Sequence, residues 1–174
     1  MSNAFILLGS NMGDKKNMLS NAVNDIKKTI GEIITKSSIY ETEPWEVDGF
    51  QESYLNQVIQ INTALTAKNL LIELNKIETK YGRNREIKNS SRTLDLDILF
   101  FDNQIINNND LTIPHPRLHL RNFTLIPLME IAPYFIHPKL NKNIEELYDE
   151  CKDPSEVILL ENEYNPSCES KIIC

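Results

Sequence analysis

Arg92-Thr93-Leu94-Asp95-Leu96-Asp97-Ile98-Leu99-Phe100-Phe101 sets two carboxylates, two positions apart, inside the most strand-like apolar run of the chain. Side chains at i and i+2 of a strand share a face, so Asp95 and Asp97 converge while Leu94, Leu96 and Ile98 point the other way. Ionised carboxylates withdrawn from water need a compensating charge or several hydrogen bonds, and two together call for cations. Two readings stand. Either the aspartates lie on the solvated face of a half-exposed strand, as in many antiparallel sheets, or they hold a metal. Asp is depleted in strands because its side chain competes for backbone hydrogen bonds, and Arg92 adds a fixed cation beside the pair. The unbroken apolar run from Ile98 to Phe101 reads as an interior strand.

Toward the N-terminus, residues Ala67 to Tyr81 have helical spacing, with Leu70, Leu71, Leu74, Ile77 and Tyr81 on the apolar side. Glu78 falls on or beside that side. Arg83 and Arg85, just past the helix end, are its nearest candidate partners, and the other reading makes Glu78 a boundary residue that reaches solvent. Tyr54 to Leu65 is a long strand in which Leu55, Gln57, Ile59 and Ile61 alternate with Asn56, Val58, Gln60 and Asn62. Its expected partner is residues 32 to 40, with Ile33, Thr35, Ser37 and Ile39 on one face. Glu41 to Glu52, holding Pro44 and Gly49, reads as a loop. Before these, Leu19, Ala22, Val23, Ile26 and Ile30 give a first helix capped by Asp14 and stopped at Gly31. Residues 4 to 9 form a buried strand ending in the turn Gly9-Ser10-Asn11-Met12-Gly13-Asp14. The order β-α-β-β-α-β predicts a ferredoxin-like α+β sandwich. It has one antiparallel sheet with two helices on one face, and the other face is left for a site.

Toward the C-terminus, residues 102 to 113 hold a polar turn and short strand candidates around Ile105 and Leu111. Ile113-Pro114-His115-Pro116-Arg117-Leu118-His119-Leu120-Arg121-Asn122-Phe123 then leads into a short helix ending near Pro133. Residues 1–150 are expected to form the functional domain with its elaborated C-terminal part. Residues 151–174, acidic and weakly periodic, read as a tail of uncertain order.

The chain has 174 residues, 41% of them hydrophobic, which suits one domain with a full core. Its net charge of −7 argues against nucleic-acid and anionic-membrane surfaces, whose affinity comes from Lys and Arg. Yet Lys80, Arg83, Arg85, Lys88 and Arg92 cluster, which suits a small polyanion or, read otherwise, a solvated loop. Cys151, Cys168 and Cys174 show no paired spacing, so reduced thiols in a cytoplasmic protein are expected. No run approaches membrane-spanning length and no signal peptide is read.

The sequence has no G-x-x-x-x-G-K-[ST] and no G-x-G-x-x-G, so phosphates would be held by side chains and metal. The Gly9 to Asp14 turn opens a helix and so fits an anion in principle; such turns more often only reverse the chain. Two hard carboxylates plus phosphate oxygens are the usual ligands of Mg2+, and two such ions can bridge an Asp pair and a polyphosphate. Arg83, Arg85, Arg92 and Arg121 would supply planar forks for the remaining oxygens. His115, held between prolines, is either structural or part of that clamp. Trp45, Tyr54 and Phe123 can stack on a flat heterocycle, although each alone reads equally as core. Asn56, on the strand face of Tyr54, and Thr42 offer polar contacts to its edge.

These blocks together resemble the 6-hydroxymethyl-7,8-dihydropterin pyrophosphokinases of folate biosynthesis, over roughly residues 4 to 140. The resemblance rests on Gly9-Ser10-Asn11, Tyr54-Leu55-Asn56, Glu78 with Gly82-Arg83 and Arg85, Arg92-Thr93-Leu94-Asp95-Leu96-Asp97, and Pro114-His115 with Arg121 and Phe123. It implies Mg2+-dependent transfer of a pyrophosphoryl group from ATP to the 6-hydroxymethyl oxygen of a reduced pterin, releasing AMP. It further implies that Asp95 and Asp97 bind two Mg2+ ions and that Arg83, Arg85, Arg92, His115 and Arg121 handle the triphosphate. Adenine would lie near Ile98, Leu111 and Thr112. Tyr54 and Phe123 would sandwich the pterin, with Thr42, Asn56 and backbone around Pro44 and Trp45 reading its edge. Arg83, Arg92, His115 and Asp97 are the expected catalytic residues, Asp97 being the better acceptor for the hydroxyl proton. A monomer that binds no nucleic acid or membrane is expected. Two departures from the family pattern, Asn89 and Ser90, fall in the loop expected to close over ATP.

Overall fold

The computed structural model describes residues 1–43, 52–82 and 93–160. Strand β1 (Ser2–Ser10) runs into helix α1 (Lys15–Thr29), then β2 (Gly31–Lys36), β3 (Tyr40–Thr42), β4 (Tyr54–Thr63), α2 (Ala67–Lys80) and β5 (Asp95–Phe101). After these come a small hairpin of β6 (Ile106–Asn107) and β7 (Thr112–Ile113), a 3-10 turn at Leu118–Leu120, α3 (Asn122–Ile131), α4 (Ile144–Glu150) and β8 (Val157–Leu159). The main sheet has the order β5-β1-β4-β3-β8, with β2 also pairing β4, and its recorded pairings are antiparallel. This is the expected ferredoxin-like α+β sandwich with additions.

Local chemistry places the elements. The Asp14 side chain accepts from the Asn17 amide and starts α1, while Thr66 does the same for α2 through the Asn69 amide. Gly31 follows the end of α1, but its role is contact. A Cβ there would lie 2.1 Å from the Asn62 carbonyl oxygen, so only glycine lets β2 approach β4 this closely. Leu19, Ala22 and Ile26 of α1 and Leu70, Leu74 and Ile77 of α2 pack on Ile6, Leu8, Ile59, Ile61, Leu96 and Ile98 of the sheet.

Three expectations change. The partner of β4 is two strands, because the chain leaves the ladder at Ser37. There the Ser37 carbonyl accepts from Gln57 Nε2 at 2.7 Å and its hydroxyl accepts from the Val58 amide at 3.0 Å. The second strand, β3, takes Glu41 and Thr42 out of the expected loop.

Second, β5 is the edge of the sheet rather than an interior strand. Its apolar run reports burial by a layer on each face, and this says nothing of its place in the hydrogen-bonding order. A bulge supports both layers: Phe5 pairs Phe100 and Ile6 pairs Ile98, which leaves Leu99 extra and sets Leu99 and Phe100 in the same core.

Third, the face away from α1 and α2 is only partly open. Phe5, Leu7, Val58, Leu99 and Phe100 are covered there by Leu118, Leu125, Leu128, Ile144 and Leu147 of the C-terminal segment. Phe135 packs 5.1 Å from Phe5 and 4.7 Å from Phe100 between ring centroids. The chain past 150 takes part as well, since β8 pairs with β3 and Asp153 Oδ2 accepts the Asn122 amide at 2.7 Å. Residues 151–160 thus take part in the fold, and residues 161–174 lie outside the described ones. Among the described residues no helix is long and apolar enough to cross a membrane.

His137 sits in this second core at 3% exposure, edge-on to Phe100. Its Nδ1 accepts from the Lys139 and Leu140 amides, each at 3.2 Å. Burial first, then nearby His119, pushes its pKa down to about 4. In the unfolded chain it titrates near the ordinary 6.5, so the unfolded state binds the extra proton first as pH falls. Stability is therefore complete above that value and is lost toward pH 4. Chemical unfolding should show a loss between pH 6 and pH 5 that is about 1 kcal/mol smaller in His137→Asn, whose side chain retains an acceptor without titrating, the remainder coming from the other histidines with lowered pKa values.

Candidate active site

The open end of the second face lies at the carboxyl end of β1 and the amino ends of β4 and β5. Residues directly opposite in neighbouring strands share a face, and here Tyr40, Asn56, Gly9 and Asp95 form one row across β3, β4, β1 and β5. The adjoining row pairs Val58 with Leu7 and Leu7 with Asp97. Asp95 and Asp97 therefore stand together on this face, as the period of two requires, while Leu96 and Ile98 are buried under the helices. Gly9 makes room between the carboxamide and the carboxylate. A Cβ at Gly9 would lie 3.4 Å from Asn56 Oδ1 and 4.0 Å from Asp95 Cβ.

The edge position of β5 leaves alternate backbone groups without a strand partner among the described residues, and two of them tie other parts of the chain to the site. The buried Glu78 carboxylate on α2 accepts the Leu96 amide at 2.8 Å, between the two aspartates. Glu78 is thus inward, as its spacing indicates, with a main-chain partner that spacing alone does not reveal. The His115 amide donates to the Leu99 carbonyl at 2.9 Å and ties His115 to the same edge. Upstream, Ser10 Oγ donates to the Thr93 carbonyl at 2.6 Å, and Thr93 Oγ1 donates to the Tyr81 carbonyl at 2.6 Å. The start of β5 is thereby tied both to the turn after β1 and to the end of α2.

Charge converges on the same place. Burial chiefly, with Arg121 and Arg117 adding to it and Asp95 opposing, lowers the His115 pKa to about 4. The ring is therefore neutral near pH 7. Its Nδ1 accepts the Arg117 amide over a long 3.4 Å, which leaves the proton on Nε2, a donor suited to a phosphate oxygen. The half-buried Arg121 is held below its ordinary pKa by burial and by Arg117, against the pull of Asp97, Asp153 and Asp95. Its guanidinium lies 5.3 Å from the centre of the Phe123 ring.

On the other side, Asn56 and Thr42 are buried, and Asn56 Nδ2 donates to Thr42 Oγ1 at 2.8 Å. Tyr54 is half-buried and pairs Thr42 across the strands, on the face of Asn56. Half-buried Phe123 packs against the second core at the start of α3, which contacts β3 and β4. The Ile98 side chain is core, while Leu111 and Thr112 are half-buried and β7, which holds Thr112, packs beside β5.

Pro44, Trp45, Arg83, Arg85, Lys88, Asn89, Ser90 and Arg92 lie outside the described residues. Three contributors escape the sequence reading. Arg117 is an ordinary surface cation in a linear view, Gly9 reads as a turn residue, and Asp153 lies in the supposed tail. Only Arg117 carries a signal, as a further cation within the proline-rich stretch already singled out.

A model of the 7,8-dihydro-6-hydroxymethylpterin-pyrophosphokinase family matches residues 5–133, a span that contains the site residues from Gly9 to Phe123. The chain belongs to this family. It is 43% identical over 130 residues to the 2-amino-4-hydroxy-6-hydroxymethyldihydropteridine pyrophosphokinase of Bacillus subtilis, covering 74% of this chain and 77% of that one. The enzyme of the same name from Haemophilus influenzae is 40% identical over 154 residues, with 88% and 95% covered. Among solved structures, a triple mutant of Plasmodium falciparum HPPK-DHPS superposes with a TM-score of 0.70 at 19% identity, which shows the shared fold. The match covers 85% of this chain and 44% of that one, so the chain spans less than half of that protein. Membership accounts for the pairing of a carboxylate cluster with cations on a small acidic domain: the family acts on a polyphosphate and a heterocycle.

Proposed function

We propose that the open sheet end bearing Asp95, Asp97 and Asn56 is where this chain performs its family's reaction. That reaction is transfer of pyrophosphate from ATP to 6-hydroxymethyl-7,8-dihydropterin in folate biosynthesis, with AMP as the second product. The observation that carries this reading is the single row Asn56, Gly9, Asp95, which sets a heterocycle-reading carboxamide beside the carboxylate pair with a glycine gap between them.

Asp95 and Asp97 fit Mg2+: both are hard oxygen donors on one face, half-buried, with cations beyond them and no third acidic or histidine ligand grouped with them among the described residues. That donor set suits an ion that takes one or two protein carboxylates and completes its shell with phosphate oxygens and water. Two bound Mg2+ ions would supply charge neutralisation on the triphosphate and on the oxygen that leaves with AMP. The chain's own residues do the rest. Arg121 and the Nε2–H of His115 hold phosphate oxygens, with Arg83, Arg85 and Arg92 as further clamps. Tyr54 and Phe123 flank the pterin, Asn56 and Thr42 read its edge with the stretch at Pro44 and Trp45, and Asp97 accepts the hydroxyl proton. The β5 edge near Ile98, with Leu111 and Thr112, takes the adenine. The chain is proposed to act as a monomer. It works in the cytoplasm, where the Cys151 thiol stays reduced.

Chromatography of the nucleotides after turnover tests the reading. AMP should appear in step with the pterin diphosphate; ADP would overturn it. Calorimetry with a non-hydrolysable ATP analogue should show binding that strengthens with Mg2+, whereas Mg2+-independent binding without turnover would point to a nucleotide-binding module.

A further inference from the structure

The first residue of α1 reaches the strand ends that carry the proposed pterin contacts. Lys15 Nζ donates to the Ser53 carbonyl at 2.9 Å and to Ser53 Oγ at 3.1 Å. Ser53 Oγ in turn donates to Glu41 Oε1. The Lys15 side chain is only 18% exposed, with the Glu52 carboxylate 4.0 Å away. An ammonium drawn this far from water exchanges hydration for those partners, and its reach is therefore directed.

The residues it joins are next to the site in sequence. The Ser53 carbonyl belongs to the rigid peptide unit that leads into Tyr54, so holding it fixes how Tyr54 leaves the backbone. Glu41 precedes Thr42, whose hydroxyl accepts from Asn56. Thr42 and Tyr54 are cross-strand partners on the site face, and Glu41, one residue along, projects to the face that α1 covers. A relay on the covered side of the sheet thus steers side chains on the open side. Asp95 and Asp97 lie on β5, separated from β4 by β1, outside its direct reach.

We propose that Lys15 is a positioning residue for the pterin. Through Ser53 and Glu41 it orients Tyr54 and Thr42 without touching either substrate. The proposal rests on the reading of Thr42, Tyr54 and Asn56 as pterin contacts. Lys15→Met keeps the aliphatic stem and removes the donor. It should raise KM for the dihydropterin about tenfold, the usual scale for losing a charged hydrogen bond. KM for ATP and kcat at saturation should stay within about twofold. Lys15→Arg should restore the pterin KM, and Glu41→Gln, which weakens the far end of the relay, should raise the same constant if the methionine variant does not fold. An unchanged pterin KM overturns the proposal, as does an equal rise of both KM values that arginine fails to rescue. Tyr54→Ala separates the two levels of the reading. If it leaves the pterin KM unmoved, the pterin face itself is wrong and Lys15 falls with it. If it raises the constant while Lys15→Met does not, only the positioning role fails.

Discussion

Asp97→Ala should lower pyrophosphoryl transfer roughly a thousandfold or more while leaving the melting temperature close to that of the parent chain, because removing metal-borne charge stabilisation costs several kcal/mol of barrier. The two halves of this expectation have separate origins. The stability half follows from place: Asp97 is half-buried on the open end of the sheet, beside Leu7, and alanine there removes a polar group without opening the helix-covered core. The activity half follows from direction, since Asp97 and Asp95 share a face and a cation held between them loses half of its protein ligands. Asp97→Asn keeps the shape and an oxygen donor but removes the charge, so it should resemble alanine in turnover and bind an ATP analogue with little response to Mg2+. Single-turnover AMP release and calorimetry at two Mg2+ concentrations check this. Near-normal turnover in either variant would remove the metal role from this residue.

That face could be read from sequence because it depends only on the period of two in a strand. The same holds for the helices, whose Leu70, Leu74 and Ile77 spacing needs no knowledge of the rest of the chain. What spacing could not supply are contacts between residues far apart in the chain. Strands β3 and β8, three residues each, have too few positions to show a pattern and exist because β3 pairs with β4 and β8 pairs with β3. Helix α3 is apolar nearly all round, so its sequence indicates burial without saying against what. The α4 start was available in principle: Asn143 and Glu146 form a reciprocal capping box, a local signal that apolar periodicity passes over. In the site, His115 and Arg121 stand out by chemistry in a proline-bound stretch. Gly9, Lys15 and Asp153 act only through neighbours brought in by folding.

Glu78 shows how such a long-range contact becomes function. Its carboxylate is 1% exposed and receives the amide of Leu96, an amide that the edge strand has no other strand to give to. Glu78→Ala should cost about 2–3 kcal/mol, because a buried N–H loses its charged acceptor and cannot recover water. On a chain of this size that is a fall of roughly 5–10 °C in Tm. Activity should fall as well at temperatures where the variant is fully folded, since Leu96 lies between Asp95 and Asp97 and its peptide units set the direction of both carboxylates. The loss should appear mainly as a higher Mg2+ concentration for half-maximal rate, with the pterin KM little changed. Glu78→Gln, which keeps an acceptor oxygen, should recover most of the stability and most of the Mg2+ response. Thermal melts and Mg2+ titrations of turnover on the two variants decide the matter. An alanine variant as stable as the parent would show that the edge amide finds another partner. One that is destabilised with an unaltered Mg2+ response would confine Glu78 to the fold and separate it from the carboxylates beside it.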